Sequence, residues 1–125
     1  MLYSKKIIHH FLNPKFFGKI KNAEAIGQAG NIRCGDLMKL YLKIDKKSQR
    51  IKDVKFETTG CAAAIASSDM ICQIIKGKTL KEALNVRFED IVKKLGKMPP
   101  IKVHCSVLAT EALKKAADNY LAKKK

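Results

Sequence analysis

The sequence has no tryptophan and only three tyrosines and five phenylalanines, so few aromatic rings are available to stack on nucleic-acid bases. It also lacks any apolar run near the 18 or so residues needed to span a bilayer. The opening MLYSKKIIHHFLNPK is interrupted by lysines and histidines where a secretion signal needs a continuous hydrophobic stretch, and the expected location is the cytosol. Acidic residues are scarce as well. With 11 of them against 26 lysines and arginines, the formal charge is +15, which steers toward anions without selecting among nucleic acid, anionic lipid and acidic protein. The lysines are scattered rather than massed, apart from Lys123 to Lys125, and read chiefly as a solvated surface; nucleic-acid binding and membrane association are both disfavoured.

The four cysteines, Cys34, Cys61, Cys72 and Cys105, include no closely spaced pair, which removes the usual zinc-ribbon and redox motifs. Cytosolic thiols are kept reduced, so a disulfide framework is also disfavoured and metal or sulfur chemistry is favoured. What is present suits a packed domain: 46% hydrophobic residues can fill a core and 30% charged residues can cover it, in a length typical of one domain, residues 1–125.

Ile7, Ile8 and Phe11 mark a short helix over Tyr3 to Phe11 that stops before Asn13-Pro14. A weak edge strand is placed around Ala23 to Gln28. Met38, Leu40, Leu42 and Ile44 alternate with Lys39, Tyr41 and Lys43, a period of two that turns one face to a core and the other to water. Val54, Phe56 and Thr58 repeat that pattern after the polar stretch Asp45 to Arg50, and the two runs form an antiparallel hairpin. A buried helix runs from Cys61 to Ile75. Thr79 and Glu82 fit a capping box for a short helix, Arg87 to Leu95 make another, Pro99-Pro100 impose an extended passage, and a long final helix starts near Ser106. Strands that precede helices imply an α+β fold: a small antiparallel sheet of about three strands, packed on one face by helices.

Cys34 precedes the first core strand, Cys61 separates the second strand from its helix, and Cys105 stands at the entrance of the last helix. A helix N-terminus favours thiolate, the form that binds metal or attacks sulfur. Asp36 and His104 are placed to add an oxygen or nitrogen ligand. Cys72 lies eleven residues of helix beyond Cys61, about 16 Å at the α-helical rise, whereas thiolates on one metal lie about 4 Å apart. It is therefore assigned to the core. His9 and His10 point in different directions on a helix and receive a surface or packing role. Spacing alone leaves two readings open for the other three cysteines, a metal site and small buried packing groups.

The order of motifs resembles the IscU and NifU N-terminal-domain family of iron-sulfur scaffold proteins. The likeness is carried by Tyr3-Ser4, His10, Asn13-Pro14, Gly18, Cys34-Gly35-Asp36, Met38-Lys39-Leu40, Thr59-Gly60-Cys61, Ala64-Ile65-Ala66-Ser67-Ser68, Pro99-Pro100-Ile101-Lys102-Val103-His104-Cys105-Ser106 and Leu108-Ala109. It implies a non-enzymatic scaffold that assembles a two-iron two-sulfur cluster and hands it to recipient apo-proteins. The implied ligands are Cys34, Cys61 and Cys105, with Asp36 or His104 as the changeable fourth, and Asp36 also keeps the cluster labile. The resemblance further implies that Cys105 accepts persulfide sulfur from a cysteine desulfurase, that Lys102 sits beside the site, and that Met98, Pro99, Pro100, Ile101 and Lys102 form a docking segment for an Hsp70-type chaperone pair. It admits zinc at the site when iron is absent, and a homo-oligomer when the cluster is bound. Arg33 beside Cys34 and the high positive charge depart from the family pattern. The rival reading is a zinc-bound persulfide acceptor, a sulfurtransferase partner; the short span between the Cys61 helix and His104 is unlike the branch that works that way.

Overall fold

The structure is a computed structural model that describes residues 4–31, 36–96 and 103–124, the side chains of 31, 36, 123 and 124 excepted. The chain runs α1 (Lys5–Leu12), β1 (Ala25–Asn31), β2 (Asp36–Ile44), β3 (Ile51–Thr59), α2 (Ala62–Ile75), α3 (Leu80–Ala83), α4 (Phe88–Leu95) and α5 (His104–Lys124). The strands form an antiparallel sheet in the order β1-β2-β3, and α2 and α5 lie on one face of it. This is the expected α+β arrangement. Among the described residues no helix is long and apolar enough to cross a membrane.

The core follows the period-two alternation of the strands. Met38, Leu40, Leu42 and Ile44 of β2 meet Val54 and Phe56 of β3, all fully buried or nearly so. β3 begins earlier than its alternation indicates. Ile51 is buried and pairs with Ile44, but a register shift at Lys43/Ile44 separates it from Val54 by three residues instead of two or four. That irregularity hides the first residues of the strand from a strict alternation.

The outer face of the sheet is less wet than the alternation implies. Tyr41 lies on it yet is only 4% exposed. Its hydroxyl donates to Glu57 at 2.5 Å on the neighbouring strand, and the Lys39 ammonium stands 5.3 Å from the ring centre. Burial, reinforced by the Glu57 carboxylate, pushes the Tyr41 phenol up to about 12. Lysines elsewhere behave as a solvated surface: Lys46, Lys47, Lys76, Lys78 and Lys81 are all exposed.

β1 carries small residues for a steric reason. Ala25, Gly27 and Ala29 face α5, which presents Ala109, Ala112, Ala116 and Ala117 in return. A Cβ on Gly27 would come within 2.2 Å of the Ala112 carbonyl oxygen and 2.3 Å of the Ala116 nitrogen, both backbone atoms that cannot turn aside. The edge strand was weakly marked in the sequence because its inward residues are too small to give a hydrophobic signal.

Capping chemistry sets the shorter elements. Ser4 accepts from the Ile7 amide to start α1, and its own hydroxyl donates to the Leu95 carbonyl at the end of α4, so one side chain joins two helix ends. Thr79 and Glu82 form the expected capping box of α3. Gly96 ends α4 with φ of 87°, a conformation that glycine adopts without strain.

Gly27→Ala should destabilise the protein by about 3 kcal/mol, read as a lowered denaturant midpoint at unchanged slope. An unchanged midpoint would mean that α5 does not need this close approach.

Candidate functional site

Two of the predicted site thiols are brought together by two helix starts. β3 ends at Thr59, Gly60 bends the chain, and Cys61 occupies the N-cap of α2. Cys105 is the second residue of α5. Their Sγ atoms lie 4.0 Å apart, although 44 residues separate them in the chain. Cys105 is 2% exposed, while Cys61 is partly exposed.

Small residues permit that approach. Ala63 and Ala64 in the first turn of α2 form a compact apolar cluster with Cys105, and Cys61 packs against it. Behind the thiols the hydroxyls of Ser67 and Ser106 meet at 3.0 Å, both fully buried, and so join α2 to α5 through a satisfied polar contact. Ser68 turns back to donate to the Ala64 carbonyl at 2.7 Å. Sequence reasoning missed the Ser67-Ser106 pair; the available signal was two serines within otherwise apolar helical segments.

His104 is exposed, and its Nε2 lies 3.7 Å from the Cys105 Sγ. Asp36 is the first residue of β2, and its side chain is outside the described part. Leu37, the next residue, pairs with Thr59, so β2 starts at the sheet end from which Cys61 follows. The expectations for Cys34, Lys102 and the segment Met98, Pro99, Pro100, Ile101 lie outside the described residues. Among the described residues no three of His, Cys, Asp and Glu gather closely enough to hold a metal ion.

Cys72 lies elsewhere. The helix between it and Cys61 is continuous, and the side chain is fully buried in the main core. Burial pushes its thiol well above the ordinary range, and the nearby Asp69 carboxylate adds to that effect. It is therefore a neutral packing group. α2 is buried around much of its circumference, with Ala66, Met70 and Ile71 also in the core.

His10 has the packing role expected of it. Its Nδ1 lies 2.6 Å from Oδ2 of Asp69, which is 1% exposed, and the other Asp69 oxygen accepts from the Phe16 amide at 2.9 Å. This carboxylate ties α1 and the segment after it to α2. A carboxylate inside a helix of small residues is the sequence signal for this anchor. His9 and His10 meet edge to face with ring centres 5.6 Å apart. A depression of about 410 Å³ between Leu84, Val86 and α5 contains none of the described thiols.

The family model of the NifU-like N-terminal domain matches residues 2–125, a span that contains both thiols and the helices that carry them. The chain belongs to this family. A relative from Archaeoglobus fulgidus, the iron-sulfur cluster assembly scaffold protein IscU 1, is 48% identical over 122 residues, covering 98% of this chain and 78% of the relative. IscU from Aquifex aeolicus is 43% identical over 121 residues, covering 97% and 77%. A crystal structure from Fervidobacterium islandicum AW-1, assigned to iron-sulfur cluster scaffolding for the SUF system, superposes with a TM-score of 0.77 at 33% identity, covering 94% of this chain and 97% of that one. The NifU-like fold thus accounts for the whole described architecture, from the three-stranded sheet to the C-terminal helix.

Exposure and burial order the thiols by reactivity. In folded protein, iodoacetamide should label Cys61 first and Cys105 more slowly, and should reach Cys72 only on unfolding, as followed by peptide mass spectrometry. Labelling of Cys72 at the Cys61 rate would contradict its place in the core.

Proposed function

We infer that this chain, acting as one domain over residues 1–125, is a scaffold on which an iron-sulfur cluster is built and from which it passes to recipient proteins. The observation that carries the reading is the 4.0 Å between the Cys61 and Cys105 sulfurs. Two thiolates bound tetrahedrally to one metal at about 2.3 Å lie about 4 Å apart, so the pair matches one edge of such a site without rearrangement. Membership of the NifU-like family and the names of the relatives support the same conclusion.

In this reading Cys34 supplies the third thiolate, and Asp36 or His104 the fourth ligand. Leu37 opposite Thr59 supports the first part: β2 begins two residues after Cys34 in sequence, and its start pairs with the end of β3 that leads on to Cys61. A site with one hard, exchangeable ligand suits a cargo that must leave: four thiolates hold a cluster firmly, whereas a carboxylate or imidazole leaves a point of entry for a recipient's thiol. The cargo is a two-iron two-sulfur cluster, and zinc takes the same donors when iron is absent. Sulfur arrives as persulfide from a cysteine desulfurase, with Cys105 as acceptor and Lys102 beside it. The protein works as a carrier and not as an enzyme. The segment Met98 to Lys102 is its docking peptide for a chaperone pair.

Anaerobic reconstitution with ferrous iron and sulfide tests the assignment. Visible absorption with equal iron and acid-labile sulfide is the expected outcome, lost in Cys34→Ser, Cys61→Ser and Cys105→Ser. Cys72→Ala should keep the cluster at a stability cost of about 1 kcal/mol. Tight, colourless zinc with no cluster would favour the persulfide-acceptor rival. Asp36→Ala should slow transfer to an apo-protein several-fold in a stopped-flow assay; equal rates would remove the aspartate from release.

A further inference from the structure

We propose that Cys61 and Cys105 form a resolving dithiol that converts delivered persulfide sulfur into sulfide. This rests on the reading that the site accepts persulfide, and it adds the source of the two electrons that the sulfur needs. Sulfane sulfur in a persulfide is formally zero-valent, whereas a cluster contains sulfide. Something must reduce it.

The geometry supplies the reductant. With a persulfide on Cys105, the Cys61 thiol lies 4.0 Å from its inner sulfur. Attack of the Cys61 thiolate on the Cys105 Sγ forms a Cys61-Cys105 disulfide and breaks the bond to the outer sulfur, which leaves as hydrosulfide with the bonding electron pair. The outer sulfur gains two electrons and the two cysteine sulfurs lose them, so the step balances without an outside redox partner. A small-molecule or protein dithiol then restores the pair by ordinary exchange.

Three features of the site favour this route. The disulfide needs the sulfurs to close from 4.0 Å to about 2.05 Å, and both residues sit at the first turn or cap of a helix, where side-chain and end adjustments are least restrained. Cys61 packs against the same apolar cluster as Cys105, so the attacking thiol needs no approach from solvent. The sulfide is also released where two thiolates suited to hold iron return once the disulfide is reduced. Attack on the outer sulfur would only move the persulfide from one cysteine to the other and yield no sulfide.

The test uses the full chain, metal-free and under anaerobic conditions, charged with inorganic polysulfide and freed of excess before any reductant is added. Sulfide released over time is measured beside disulfide mapping of the wild-type protein by mass spectrometry. About one hydrosulfide per Cys61-Cys105 disulfide is expected, and Cys61→Ser should retain its persulfide with release falling roughly tenfold or more, as expected when an intramolecular partner is removed. The wild-type map carries the decision by itself should the variant fold poorly. A persulfide that forms on wild type and persists, a disulfide that joins Cys34 instead, or equal release from folded Cys61→Ser would overturn the proposal while leaving sulfur acceptance intact. Absence of any protein-bound sulfane sulfur would overturn the acceptance reading itself.

Discussion

Backbone-to-backbone proximity between α5 and β1 is the constraint on which the remaining architecture depends. Gly27 leaves no room for a side chain between the strand and the carbonyl of Ala112, and the alanines of α5 continue the same close contact along the helix. A helix seated this deeply has little freedom to slide, because its backbone cannot repack as a flexible side chain does. Its first turn is therefore delivered to a defined place beside the start of α2. The separation of the Cys61 and Cys105 sulfurs is a consequence of that seating.

Polar anchors refine what the apolar contacts set. Ser67 and Ser106 satisfy each other across the α2-α5 contact, Ser106 next to Cys105 and Ser67 within two turns of Cys61, and Asp69 collects His10 and the Phe16 amide on the opposite flank of α2. Such groups are costly when left unpaired in a dry interior, so each penalises arrangements of the helices other than the observed one. α2 thus acts as a hub: its start carries a reactive thiol, its middle holds two polar ties, and its later turns bury Cys72 as ordinary core. The difference in character between Cys61 and Cys72, on one continuous helix, is produced by surroundings alone.

The rim location of the thiols suits a carrier. A site at the end of a sheet, where β3 passes into α2 and α5 begins, lets a partner approach from solvent while the helices behind remain packed. Cys61 is in partial view and Cys105 nearly covered, yet their sulfurs lie 4.0 Å apart, and that proximity underlies the sulfur chemistry inferred for the pair.

Much of this was legible in the linear sequence. Period-two alternation marked β2 and most of β3, the Thr79-Glu82 spacing marked a cap, and helical length separated Cys72 from Cys61, because each of these depends on neighbours within a few residues or on a fixed rise per residue. Family motifs around Cys61 and His104-Cys105 pointed to the site. The sequence by itself determined the elements, their order and which thiols to consider. Only the tertiary structure decided the 4.0 Å between Cys61 and Cys105, the buried Tyr41 on the nominally wet face, the early start of β3 at Ile51, and the Ser67-Ser106 and His10-Asp69 ties. Each of those depends on surfaces that meet across long stretches of chain, where shape and polar satisfaction act and local periodicity has no information to offer.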